Sequence, residues 1–259
     1  MQVPIAFDYV LVLEWLAEGD QRTGLALHEF LFSIGFDSEL VVCESWAEVQ
    51  QTLILATEAI PFLGVPVVHL ETHGSDPWDG DPENIGFGVS AESSSPWATL
   101  GPLLVPLNVA AGFRLLVVSA ACWGSGVMAA IQSGQHPAPF ACALGLRTEV
   151  TEGRLRDAMR EFYRSLKGGL SVAESVDSAQ RELEEGQELR LEVIVMLAAK
   201  MLWTAYNRRM ALPSLLGALR RRRNARRVWD AWFPPQLQEQ VPAYRFENGW
   251  QLMAPTTKR

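Results

Sequence analysis

Two short segments carry the side chains best placed to do chemistry. The first reads Val65-Pro-Val-Val-His-Leu-Glu-Thr-His73-Gly74, an apolar run that ends on a histidine and a glycine. The second reads Arg114-Leu-Leu-Val-Val-Ser-Ala-Ala121-Cys122-Trp-Gly124, an apolar run that ends on a cysteine. A cysteine attacks as its thiolate, and a histidine beside it takes the thiol proton or stabilises the anion. Attack on a peptide carbonyl puts developing negative charge on oxygen, which backbone N–H groups can hold. A glycine after the histidine lets the backbone approach a substrate with no Cβ in the way. His73 and Cys122 are thus the candidate acid/base and nucleophile of a cysteine peptidase. The N–H groups of Gly74 and Cys122 are the candidate oxyanion donors.

Such a pair works only if both runs are strands ending at one edge of a parallel sheet, where α/β proteins build their sites. The chain alternates strand and helix signals, which predicts an α/β domain with helices on both faces of a mostly parallel sheet. Strands are expected at residues 9–13, 39–43, 66–71 and 114–120, with a further apolar run at 140–146. A helix is expected at 24–34, with Leu27, Phe30, Leu31 and Ile34 inward. Ser45-Trp-Ala-Glu48 is a capping box opening a helix at 46–59. Ser95-Pro96 reads as the cap and first-turn proline of another helix, and residues 85–89 as a small hairpin. Leu155, Ala158, Met159, Phe162, Tyr163 and Leu166 recur at helical spacing. Gly168-Gly169 ends that helix, and Ser171-Val-Ala-Glu174 caps the next, lined by Val172, Val176, Ala179 and Leu183.

These motifs resemble the caspase-like peptidases, the group of caspases, metacaspases, separases and bacterial CHAT domains. His73 lies 49 positions before Cys122; in caspases the spacing is about 50, with the cysteine in Q-A-C-[RQG]-G. Here the stretch is Ala120-Ala121-Cys122-Trp123-Gly124, which departs at two of five places. The resemblance is therefore to the wider superfamily, closest in style to CHAT domains, and covers roughly residues 8–185. It implies a caspase-like three-layer sandwich and a Cys-His dyad with no third residue. Asp20-Gln-Arg22-Thr23-Gly24 is similar to the caspase Arg-x-Gly, whose arginine binds an acidic P1 side chain. Arg22 is thus a substrate-binding candidate by resemblance, with a solvated loop arginine as the other reading. Ala120 stands where caspases place a substrate-binding glutamine and metacaspases an aspartate, so P1 is left open, leaning to acidic.

The remaining histidines read differently. His69 shares a strand face with His73 but lies deeper, and is expected in a core or supporting role. His28 is expected to be partly exposed on its helix, and His136 to sit in a loop. Asp76, Asp79, Asp81 and Glu83 follow the histidine motif; a solvated acidic loop is favoured there over a calcium site. No zinc-ligand spacing or phosphate loop is present, and no cofactor is expected. Three cysteines without metal spacing, Cys43 and Cys142 among them in apolar runs, suit a reducing cytoplasm. The N-terminus lacks the basic segment of a signal peptide, and no apolar run reaches the length of a membrane span.

Charge divides the 259 residues. Residues 208–259 hold 11 basic and 3 acidic side chains, against 11 and 27 in residues 1–207. The expected organisation is a peptidase domain at 1–190 and a helical, Arg-rich extension at 191–259. Docking of that extension within the protein or onto a regulatory protein partner is favoured; nucleic acid enters only through Arg220–Arg227. After Cys122 there is no Asp until Asp157 and no Lys or Arg until Arg147. Cleavage into two subunits is therefore not expected, and activity is expected to be gated by a partner or activating signal. By resemblance alone, CHAT-like peptidases suggest bacterial antiviral defence or programmed death. The alternative is a catalytically silent caspase-like scaffold whose basic C-terminal region binds a partner or nucleic acid.

Overall fold

Seven consecutive buried residues, Tyr9–Trp15, form the strand β1, one place in from an edge of the sheet. The computed structural model describes residues 7–75, 86–90, 93–131 and 138–193, and two short strands near the C-terminus. After β1 come α1 (Thr23–Ser33), β2 (Ser38–Val42), α2 (Trp46–Leu63) and β3 (Pro66–Gly74). Two three-residue strands follow, β4 (Gly86–Gly88) and β5 (Ser94–Pro96), then a 3-10 turn, Trp97–Leu100, and α3 (Gly101–Ala110). Next are β6 (Leu116–Ala120), a 3-10 helix (Gly124–Ile131), β7 (Cys142–Leu146), α4 (Glu152–Lys167), α5 (Val172–Gln180) and β8 (Leu189–Val193).

The sheet order is β2-β1-β3-β6-β7-β8. All neighbours along it run parallel except β8, which is antiparallel to β7. Strands buried on both faces read as apolar runs rather than alternating ones, as β1 and β6 do. On one face Val10, Val12, Val67, Leu116, Val118, Cys142 and Leu144 pack in a single cluster with α1, α4 and α5. Those helices contribute Leu27 and Leu31, then Ala158, Met159, Phe162 and Tyr163, then Val172, Val176 and Ala179. Burial of each large apolar side chain contributes about 1.5–3 kcal/mol. On the other face Trp15 stacks on Trp46 of α2 at 6.0 Å, and Phe87 of β4 stacks on Trp97 at 4.5 Å. Phe87 also meets Trp15 and Trp46 edge-on, so four aromatic rings tie β1, α2 and β4 together.

The sheet departs from the sequence expectation in instructive places. Strand β3 runs past residue 71 to Gly74, because β4 folds back and pairs His73 with Gly88 and Gly74 with Phe87. Ser95-Pro96 is shifted by one place from the expected cap: Pro96, with φ −58 and ψ 138, pairs with Gly86 and itself caps the 3-10 turn Trp97–Leu100 instead of lying in its first turn. Proline fixes only φ, which helix and extended chain share, so strand pairing decided ψ. Helix α2 passes Pro61 and ends at Gly64, whose N–H still closes the helical bond to the Ile60 carbonyl and whose φ of 88 then turns the chain out of the helix. Both expected capping serines accept from the residue three on, at Ser45 and at Ser171, and the full reciprocal box forms at Ser171.

The compact unit that holds the sheet spans Gln2–Ile194 and so includes all of β8. A second unit, Val195–Arg259, contributes an antiparallel pair, β9 (Phe246–Glu247) and β10 (Gln251–Leu252). The acidic loop at residues 76–83, His136 and the basic run Arg220–Arg227 lie outside the described residues. Among the described residues no helix is long and apolar enough to cross a membrane.

Candidate active site

Parallel pairing of β3 with β6, from Val67 opposite Leu116 to Glu71 opposite Ala120, brings both strand ends to one edge. His73-Gly74 and Cys122 emerge there side by side. The approach is close: a Cβ added to Gly74 would lie 1.8 Å from the Cys122 carbonyl oxygen. Only glycine fits, which gives the His-Gly pair a packing reason as well as a chemical one.

The cysteine sits in a tight turn. Gly124 N–H donates to the Ala121 carbonyl at 3.0 Å, and Trp123 adopts the left-handed φ of 55 that favours glycine. Backbone held in such a region costs about 1–3 kcal/mol and occurs disproportionately at functional sites. The segment after β7 holds this turn from beside it. Trp123 N–H donates to Thr148 O at 3.3 Å, and the Cys122 thiol donates to Val150 O at 3.6 Å. That segment is in turn pinned from the start of β8, by Gln187 Nε2 to Glu149 O and by Arg147 N–H to Glu188 O. Below, the 3-10 helix lies directly on β7, since a Cβ on Gly145 would come within 2.4 Å of the Gly124 carbonyl carbon.

His73 is half exposed, and its Nε2 lies 2.9 Å from Asp20 Oδ2. The same oxygen accepts Ala17 N–H at 2.9 Å, so the carboxylate is anchored to its own loop. The hydrogen bond from His73 holds the Asp20 carboxyl below its ordinary range, with the Ala17 N–H adding to it. Asp20 was not singled out in the sequence. Its signal was its place in the β1–α1 loop, at the sheet edge where β3 ends.

Arg22 belongs to a buried ion pair. Its Nε donates to Glu14, which is 1% exposed, while the Arg22 side chain is 50% exposed. The other Glu14 oxygen accepts Leu25 N–H at 3.1 Å. Gly24 makes room for that carboxylate: a Cβ there would be 2.8 Å from Glu14 Oε2. The Arg-x-Gly stretch thus houses and neutralises a buried glutamate.

A second buried carboxylate stands in register with the first, Glu71 opposite Glu14. Glu71 accepts the Thr23 hydroxyl at 2.8 Å and pairs with His69 Nε2 at 2.9 Å. His69 Nδ1 meets the Tyr163 hydroxyl at 2.9 Å, within the core. A neutral His69 satisfies every group: Tyr163 O–H donates to Nδ1, and Nε2–H donates to the carboxylate. Burial, then Glu71, pushes the Tyr163 hydroxyl well up, so it stays a donor. His69 is therefore a structural link from β3 to α4. Ala120, opposite Glu71, is 2% exposed and packs in the core cluster shared with α1 and α4. His28 lies on α1 with Nδ1 2.9 Å from Ser38 Oγ.

The three cysteines differ in kind. Burial pushes the Cys142 thiol far up and the Cys43 thiol up to about 11, whereas Cys122 is only partly buried. Alkylation needs thiolate and access. Brief iodoacetamide treatment of the native protein at pH 7.5 is expected to modify Cys122 and spare the other two, as read by peptide mass spectrometry. Among the described residues no group of three or more His, Cys, Asp or Glu side chains could hold a metal ion. No known protein-family profile matches this chain, and no curated protein matches it.

Proposed function

We propose that this chain is a caspase-like cysteine endopeptidase, with Cys122 as nucleophile and His73 as general acid/base. The observation that carries the reading is the contact of Gly74 with the Cys122 carbonyl, which sets the two motifs side by side at the C-terminal edge of the sheet. Two further features support it. The site lies beside β1 and β3, where the strand order changes direction, the usual place for a site in open α/β sheets. The cysteine occupies a strained turn at a partly open surface.

His73 is bonded to Asp20 and the Cys122 thiol to Val150. Catalytic hydrogen bonds in an empty site often tighten only when substrate binds. Substrate would enter over Gly74, whose N–H, with that of Cys122, would hold the carbonyl oxygen of the tetrahedral intermediate. Arg22 would meet a P1 side chain only through its terminal amines, because Nε is committed to Glu14. A regulatory protein partner would act through the segment after β7, whose Val150 carbonyl accepts the thiol.

Cleavage of a proteome-derived peptide library tests the reading, with Cys122→Ala and His73→Ala as controls. The expected result is a set of cuts sharing one P1 pattern and absent with either variant. Cuts that persist in Cys122→Ala would refute it.

A further inference from the structure

We infer that Asp20 is a positioning residue for His73: its carboxylate fixes the imidazole with the proton on Nε2 and leaves Nδ1 to take the Cys122 thiol proton. The inference rests on the peptidase reading. It adds a side chain to what the family resemblance gives as a two-residue machine.

The geometry is direct. Asp20 Oδ2 is 2.9 Å from His73 Nε2 and is itself fixed by Ala17 N–H. An ionised carboxylate only accepts hydrogen bonds, so Nε2 carries the proton, and in the neutral ring Nδ1 then holds the lone pair. Which ring nitrogen acts is set by the bond the other one makes. The ring is half exposed, so packing alone does not hold it. The lowered Asp20 carboxyl keeps the acceptor charged across the neutral range.

The proton inventory closes. The thiol proton passes to Nδ1, leaving thiolate and imidazolium, while Asp20 remains a carboxylate that now faces a full positive charge. A charge-assisted bond of this kind is stronger than a neutral one. The thiolate then bonds the carbonyl carbon, and the imidazolium gives its proton to the leaving amine as the C–N bond breaks; water next bonds the acyl carbon, yielding one proton to Nδ1, which returns it to the Cys122 sulfur as the C–S bond breaks and the acid leaves.

Among the described residues, the titratable groups near His73 are these. Asp20 comes from the β1–α1 loop, with Arg22 two residues on, and Cys122 stands at the end of β6. Two residues back along β3, Glu71 is held by Thr23 and His69. Across the ladder, Glu14 is held by Arg22 and the Leu25 N–H.

The test is the pH dependence of Cys122 alkylation by iodoacetamide in the full chain, for wild type, Asp20→Asn and His73→Ala. Asparagine retains an oxygen for Ala17 N–H and removes only the charge, so the loop keeps its anchor. A neighbouring opposite charge moves a pKa by about 1–3 units. Asp20→Asn is therefore expected to slow alkylation about ten-fold at pH 6 and to leave it unchanged at pH 9.5, where thiols in general need no base to form thiolate. Equal rates for Asp20→Asn and wild type at pH 6 would overturn the inference, as would an equal loss at both pH values, which marks a merely structural role. A wild-type profile of an ordinary thiol, unaffected by His73→Ala, would overturn the peptidase reading itself and the inference with it.

Discussion

Gly74→Ala is expected to abolish peptide cleavage, with a loss of about 100-fold or more, although it adds a single methyl group. The methyl would fall 1.8 Å from the Cys122 carbonyl oxygen, far inside contact distance. The atom met is backbone, so no side-chain rotation relieves it. Either β3 or the cysteine turn must shift by more than an ångström, and a misplacement of about 1 Å can cost 100-fold in rate. Neither has room to yield. The cysteine turn is bonded to the segment after β7, and Gly74 is paired with Phe87 inside the aromatic cluster. Overpacking of this kind usually costs about 1–3 kcal/mol of stability. Turnover and thermal unfolding measured together check both arms. A Gly74→Ala protein with near wild-type turnover would show that the two strand ends do not form one site.

Arg22→Met is expected to destabilise the fold by about 2–3 kcal/mol, more than an exposed arginine normally contributes. Its partner Glu14 is almost wholly buried, and removing one member of a buried pair leaves an unpaired charge, at a typical cost of about 3–5 kcal/mol. Half exposure of Arg22 and the Leu25 N–H on Glu14 place the expected loss at or just below the low end of that range. The double variant Glu14→Met with Arg22→Met removes both charges and is expected to recover most of the loss in urea unfolding. The same pair separates two roles for the arginine. If the double variant cuts the same P1 pattern as wild type, Arg22 serves the fold; if acidic P1 cleavage disappears, its terminal amines serve the substrate.

Much of the frame was readable from residue patterns. Strands β1, β3, β6 and β7 are buried on both faces, so they appear as apolar runs, and α4 carries its inward residues at helical spacing. The motif residues His73, Gly74 and Cys122 stood out because each ends such a run. Three things did not appear. Asp20 lies 53 positions from His73, and nothing local marks it as a partner. Glu14 and Glu71 look like interruptions in apolar strands, and only the β1–β3 register sets them side by side. Strand β8, Leu-Arg-Leu-Glu-Val, is a short alternating edge strand after a polar loop, a weak signal without its partner β7. Arg22 was visible, but its commitment to Glu14 depends on the glycine that admits the carboxylate.

The β3–β6 ladder makes this a site indexed by backbone count. Side chains on a strand change face at every residue, so the face that presents His73 is fixed relative to Glu71 and the ladder beneath it. Residues can be gained or lost between β4 and β5, or anywhere off the ladder, without altering that count. A single residue lost near the start of β3 would turn His73 to the opposite face, Glu71 away from Thr23 and His69 away from Tyr163 in the same slip. Length variation is thus partitioned by the topology: free in the crossovers, forbidden in the few ladder residues that precede each motif.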